Sequence, residues 1–420
     1  MRTTISAQLL AVAAVPLLAA SAQAQSLDTV VAATLEQAPE LAAARAREAG
    51  AQARVDAARA ERMPSASIEG QIGAGRIDPQ GFFGLTADDV TPRSARFGVD
   101  VPLFTGGRIG AAQRQALAGA EAARAGVDAT ALELKVAVVR AYAAAIAARE
   151  TGAGYAKMVG ALEEASRQVR LRYEVGAATS TEVAQADARL AEARAARSAA
   201  AGEERQALAM LRALSGVEVV PDARLPDAAV PEFSRAEAVA RARSGNPRIR
   251  AARQLVDAAR GGLAGARAER LPTVDAYAEA ASVRDQFFPG YAADSASVGV
   301  RARWTLFDGG RNRARQDGAA AALAEREAEL RAAEAEIERQ TISAHEGLMS
   351  AHDTLVAARA RSAAAEAALR GTRLEVRAGA APVLALLDAE REAAAATAEE
   401  TRAAAMHLIQ AELLKALIQP

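Results

Sequence analysis

The sequence contains no cysteine, so disulfides, thiolate metal sites and a lipid-bearing N-terminal cysteine are all excluded. Aromatic residues make up only 3% of the chain, which rules out a thick aromatic core. Neither sign of charge is in excess. With 25% charged residues and a net charge of -1, there is no field to draw in nucleic acid or an anionic membrane surface. Beyond the first residues there is no apolar run of the ~20 residues that a spanning helix needs. Insertion into a bilayer would therefore require a closed β-barrel, the other structure that satisfies its backbone in lipid.

What the chain has in quantity is alanine. Hydrophobic residues reach 51% with few aromatics, a balance that favours helix and lets helices approach closely. Elongated helical packing is expected rather than a globule. At the N-terminus, Arg2, an apolar stretch over 9–20 interrupted by Pro16, and the triplet Ala22-Gln23-Ala24 read as a secretory signal peptide over 1–24, cleaved before Gln25.

The mature part repeats itself. Leu103-Phe104-Thr105-Gly106-Gly107-Arg108 returns as Leu306-Phe307-Asp308-Gly309-Gly310-Arg311, and one constant offset then pairs Gln113 with Gln316 and Gly176 with Gly379. Upstream, Ala38-Pro39 corresponds to Asn246-Pro247, each opening an Ala/Arg-rich helix that stops at Pro64 or Pro272. The halves are 25–220 and 235–420. Between them 215–234 carries Pro221, Pro226 and Pro231 without helical period and reads as an ordered connector.

After each stopping proline the period changes to two, which means strand. Two strands are expected per half, over 66–75 and 93–103 and over 273–282 and 296–306. The clearest run places Val298, Val300, Ala302, Trp304 and Leu306 opposite Ser297, Arg301 and Arg303. The run from 273 is weaker, because Tyr277 falls on the polar side. One apolar and one charged face suits a tilted strand of an outer-membrane barrel, but also a sheet covered by helices on one face. Four strands cannot close a barrel, so either the sheet is covered or several chains share one.

Each Gly-Gly-Arg opens a proline-free stretch, 108–175 or 311–378, that as one helix measures ~100 Å at ~1.5 Å per residue. Leu132, Val136, Val139, Ala143 and Ile146 alternate by four and three, the seam of a coiled coil. Gly152, Gly154 and Gly160 weaken that helix locally by roughly 1 kcal/mol each. Return helices over 181–214 and 383–418 cover half of each rod, and the incoming helices, up to Arg62 and over 235–270, cover the rest. The expected fold is mainly α with a small β part: a long antiparallel helical bundle in two layers with a waist at the connector.

The duplicated Leu-Phe-x-Gly-Gly-Arg junction, the Asn246-Pro247 helix start and the turn from Tyr173 to Val183 make the chain resemble the TolC-like outer-membrane efflux protein family, over nearly all its mature length. The resemblance implies a homotrimer in the outer-membrane lipid, four strands per chain in a shared twelve-stranded barrel, and helices forming a tunnel across the periplasm. It implies an outer-membrane channel of a tripartite efflux or type I secretion system, met by a periplasmic adaptor and driven by an inner-membrane pump of RND, ABC or MFS type. It places the tip turns, with Tyr173, Gly176, Thr179, Gly379 and Pro382, at the adaptor.

The family's acidic turn matches Glu182 and Gln185 in the first half and Ala385 and Asp388 in the second. Ala385 replaces a usual acid, Val376 a usual aromatic, and Pro382 follows the second turn, so one acidic entrance ring, from Asp388, is expected instead of two. The other reading of Asp388 and Glu182 is a helix-start carboxylate that favours the dipole. No other chemistry is expected. His345 and His352 lack a third convergent ligand, the Gly-Gly-Arg junctions lack the Lys-Ser/Thr of a phosphate loop, and no Ser/His/Asp order suggests a hydrolase. No cofactor and no enzyme activity are expected; the competing class is a periplasmic coiled-coil adaptor or scaffold without a pore.

Overall fold

The computed structural model describes residues 24–78, 87–288 and 290–418; the expected signal peptide, apart from an exposed Ala24, lies outside them. The elements run α1 (Leu27–Gln37), α2 (Pro39–Ala60), β1 (Ser65–Ile72), β2 (Gly75–Ile77), β3 (Asp88–Val90), β4 (Arg93–Phe104), α3 (Arg108–Glu174) and α4 (Ser180–Ser215). The second half runs α5 (Arg235–Gly245), α6 (Pro247–Ala268), β5 (Thr273–Arg284), β6 (Ala292–Arg303), α7 (Arg311–Arg377) and α8 (Val383–Ile418).

Each incoming segment is two helices rather than one. The residue before a proline cannot easily stay helical, and Ala38 and Asn246 are extended, with φ -61° and ψ near 125°. The following prolines then occupy the first helical turn, where a missing N–H costs nothing.

The rods α3 and α7 have 67 residues each, ~100 Å at 1.5 Å per residue. α3 passes unbroken through Gly152, Gly154 and Gly160. Helices α2 and α4 each lie along α3, and α6 and α8 each lie between α3 and α7. The rods do not touch each other, nor does α2 touch α6. The expected two layers are thus two tiers stacked along the rods, and within each tier the helices stand side by side in a row one helix thick.

The apolar contacts gather at the waist and near the tips. Val30, Val138, Tyr142, Ile146 and Leu211 form one waist cluster. Ile249, Ile337, Leu348 and Leu414 form its counterpart in the second half. Val139 and Ala143 of the expected seam pack on Ala405 and Leu408 of α8, while Leu132 and Val136 are only half-buried. At the other end of the fold α7 has no buried residue before Ile337. There it is the uncovered edge of the row.

The connector is fastened where the tiers meet. Buried Tyr142 donates its hydroxyl to the Gln25 carbonyl (2.8 Å) and accepts from the Asp222 N–H (3.0 Å). Arg149 donates to the carbonyls of Pro221 (3.0 Å) and Asp222. One buried phenol and one guanidinium thereby satisfy backbone groups of a segment whose ladder pairing, among the described residues, is a single bridge between Gln25 and Pro221.

The four long strands form an antiparallel sheet in the order β1-β4-β5-β6, and β2 pairs with β3 as a small extension. β1 stops at Ile72, short of the expected 75, at the level of Pro92, which has no N–H for a ladder; Pro92 instead accepts from the Gly73 N–H at 2.9 Å. β6 spans 292–303 rather than 296–306, because Ala292 to Ser295 pair with Arg284 to Ala281. Trp304 and Leu306 therefore lie beyond the strand. Trp304 turns away and donates its indole N–H to the Arg270 carbonyl (3.0 Å).

Candidate functional site

The sheet is bare on both faces, since no helix among the described residues packs on it. Register decides what each face carries, because residues directly opposite share a face. Ile68 stands opposite Phe97 and Phe97 opposite Ala280; Val99, Ala278 and Val298 form the next row, and Val101, Ala276 and Val300 the one after. This apolar face points into open space, with Ile68 80% and Val298 84% exposed. Leaving such surface in water is costly at ~25 cal/mol per Å².

The opposite face is charged. Arg96 pairs with Glu279 at 3.3 Å and Arg301 with Asp100 at 3.9 Å. Tyr277, the residue that spoils the alternation in the sequence, sits here among charges. Its ring covers Gly299, where an added Cβ would lie 3.1 Å from it, and the Arg301 guanidinium stacks 4.6 Å above it. Exposed aromatics mark both ends of the apolar face. Phe104, Trp304 and Phe307 stand at the helix end, and Phe287, Phe288 and Tyr291 cluster at the loop end with ring centroids 5.0–5.2 Å apart. Aromatic rings at the two limits of an apolar band, Trp304 and Tyr291 with a polar group and the four phenylalanines without one, match the girdles of membrane barrels.

The strands turn into rods at Gly106-Gly107 and Gly309-Gly310, all four in the left-handed region (φ 61°, 88°, 66° and 91°). An added Cβ on Gly106 would lie 2.6 Å from the Leu271 Cβ and 2.9 Å from the Ala268 carbonyl, whereas Gly309 has open space. Asp308 holds the second junction, a role the sequence analysis did not give it. Its carboxylate accepts from the N–H groups of Asn312 (2.8 Å) and Gly310 (3.0 Å), and the first of these leads in holding its pKa below the usual value. The Asp-Gly-Gly-Arg run was the available signal: an acid just before a helix N-terminus.

At the far end the two tip turns share a backbone. Gly176 (φ 75°) and Gly379 (φ 73°) end the rods, with the Ala177 N–H donating to the Arg172 carbonyl (2.7 Å) and Ala380 to Glu375 (2.9 Å). Their side chains differ. Thr179 and Glu182 form a capping box, in which the Thr179 hydroxyl accepts from the Glu182 N–H (3.2 Å) and the Glu182 carboxylate from the Thr179 N–H (2.7 Å). The equivalent positions, Pro382 and Ala385, can supply neither bond.

The Thr179 N–H is the main cause holding the Glu182 carboxyl below its ordinary 4.5. A depressed carboxyl contributes its stability above the unfolded value and loses it as pH falls through the folded one. The first tip should therefore loosen only below about pH 4.5. Thr179→Ala is expected to cost about 1 kcal/mol, read as faster amide exchange at 180–183 with no change at 383–386.

Asp388 is half-exposed and 3.3 Å from Arg189 of α4, which also reaches Glu192 at 3.3 Å. The expected ring carboxylate thus has a counter-charge within its own chain. Tyr173 is exposed at the first tip, and Leu387 joins α8 to the α3–α4 cluster of Met158, Leu162 and Ala186. Of the two histidines set aside as metal ligands in the sequence, His345 lies 3.7 Å from Glu346, while His352 meets His407. Among the described residues no three His, Cys, Asp or Glu converge as metal ligands.

Solved structures with this architecture include the CmeC outer membrane channel of Campylobacter jejuni (TM-score 0.82, 15% identity, covering 93% of this chain and 85% of that one). A membrane protein from Pseudomonas aeruginosa superposes with TM-score 0.81 at 21% identity, covering 93% of each chain. The open state of the Neisseria gonorrhoeae MtrE outer membrane channel gives 0.77 at 21%, covering 94% and 89%. A search of curated proteins returns no significant match. The sequence pattern of outer membrane efflux proteins matches twice, over residues 30–217 and 238–418, once per repeat with the connector left between. Bare amphipathic sheet, paired rods and double match agree, and the chain belongs to the outer membrane efflux protein family.

Proposed function

We propose that three copies of this chain form a passive duct from the periplasm to the exterior of a Gram-negative cell. The single observation that carries this reading is a sheet that, among the described residues, has two bare faces and two unpaired edges. β6 offers a full unpaired edge and β1 the other, and pairing them between neighbours closes twelve strands from three chains. The twelve-residue strands β4, β5 and β6 extend ~40 Å and, tilted by about 45°, cross ~28 Å. The apolar face then meets lipid and the charged face water. The one-helix-thick row has the same incompleteness, and three such rows close a tunnel.

The signal peptide read over 1–24 supports export, and the family supports an adaptor at the tip turns and an inner-membrane pump of RND, ABC or MFS type that supplies the energy. The duct itself is not an enzyme. A soluble coiled-coil scaffold without a pore would leave the apolar face of the sheet, with Ile68, Val298 and Val300, in water. The test is reconstitution: the purified protein should be a trimer that conducts ions across a planar bilayer, and a soluble monomer without conductance would end this reading.

Within the duct, Asp388 is the candidate entrance carboxylate. Three carboxylates around one axis attract cations, and Arg189 moderates each of them. Asp388→Ala should lower the sensitivity of single-channel conductance to divalent cations; an unchanged sensitivity removes Asp388 from the entrance.

A further inference from the structure

His352 on α7 and His407 on α8 face each other with ring centroids 5.5 Å apart. His407 is 6% exposed, and Nδ1 of His352 and Nε2 of His407 are both buried without a hydrogen-bond partner. Unpaired buried polar atoms are rare and call for a reason. Both rings line a cavity of about 300 Å³ beneath the connector, which covers it with Leu225, Pro226, Asp227 and Ala228. Leu225 and Ala228 also pack on the cluster of Val139, Ala143 and Leu408, so the connector's seat and the histidine pair are one structure.

The charges around the pair are few. From α7 comes Arg359, whose own partner is Glu400 of α8 at 4.0 Å, and from the connector comes Asp227. α3 presents the apolar Val139, Ala143 and Ala147 to this part of α8. A proton on either ring would be placed beside a second imidazole and a guanidinium, with Asp227 as the carboxylate of the lining, in a cavity that the connector walls on one side.

We propose that the His352–His407 pair is an acid-responsive latch, which seats the connector over 225–230 while both rings are neutral and releases it when the medium turns mildly acidic. The sign follows from linkage. Burial first, then His352 and Arg359, hold His407 below its ordinary 6.5. A base with a depressed pKa in the closed state binds fewer protons closed than open, so closure is undisturbed above pH 6.5 and weakens as pH falls from there toward the depressed value. The latch belongs to the waist and does not depend on the channel reading.

The test is amide exchange on the full-length protein in detergent at about pH 7.5 and 5.5, corrected for intrinsic rates. Peptides carrying Asp222, the connector amide that donates to Tyr142, should lose protection in acid by up to roughly tenfold, the ceiling that a single histidine sets for each unit of displaced titration. His352→Gln and His407→Gln should each flatten that response, and if the buried His407→Gln does not fold, His352→Gln alone decides. Equal protection of wild type at both pH values, or an undiminished acid response in the folded variants, overturns the latch.

Discussion

Val298→Arg is expected to remove the protein from the outer-membrane fraction, while Ser297→Arg, one residue earlier on the same strand, leaves it there. Val298 is 84% exposed on the apolar face, in register with Ala278 and Val99. In the proposed barrel it meets lipid, where a guanidinium near the midplane costs ~2–4 kcal/mol. Shared by three subunits, that cost rivals the whole stability of a domain, ~5–15 kcal/mol. Ser297 stands opposite Glu279 on the charged face, so an arginine there gains water and a carboxylate. A general strand defect would affect both variants alike. Membrane fractionation reads the difference, and a Val298→Arg protein that still sediments with outer membranes as a trimer would take the apolar face out of lipid.

Gly106→Ala should be far more damaging than Gly309→Ala, although the two glycines are repeat equivalents with nearly equal φ (61° and 66°). Both substitutions place a side chain in the left-handed region, at ~1–2 kcal/mol. Only at Gly106 would the new Cβ collide, with the Leu271 side chain at 2.6 Å and the rigid Ala268 carbonyl at 2.9 Å. Overpacking of that kind adds ~1–3 kcal/mol. The thermal unfolding temperature of the protein should fall clearly for Gly106→Ala and slightly for Gly309→Ala. Equal shifts would mean that backbone strain alone decides both junctions.

Much of this architecture was legible because its signals are long. The duplicated Gly-Gly-Arg junctions and the proline-free stretches between them and Gly176 or Gly379 set the rods, and period two set the strand faces, Tyr277 excepted. Tyr277 is an exception in type and not in place: the alternation put it on the polar side, where it stands, and only its cause was hidden, Gly299 across the ladder and Arg301 above the ring. The end of β6 at Arg303 was equally hidden. Trp304 fits the alternation, and what removes it is an indole bond to the Arg270 carbonyl from the preceding strand's approach.

The polar pairs of the candidate site were the least legible. The acid at 388 is visible in the sequence, but Arg189 reaches it from the other half of the chain, and no local spacing announces that. The same holds for His407, which lies far from His352 in sequence and one helix away in space. The capping box of Thr179 and Glu182 was readable in full, being a motif of four consecutive positions.

The row of helices has a consequence for how the protein can exist. Away from the buried clusters of the waist, a wall one helix thick has no inside: it has a front, a back and two rims. α7 shows what that means, with no buried residue from Arg311 until Ile337 and with the alanines at 319–322 facing outward or half-covered. Such a rim gains its burial only from a neighbour, so in the proposed trimer each subunit's stability is partly lent to it by the next, and dilution would act on this fold as a denaturant does.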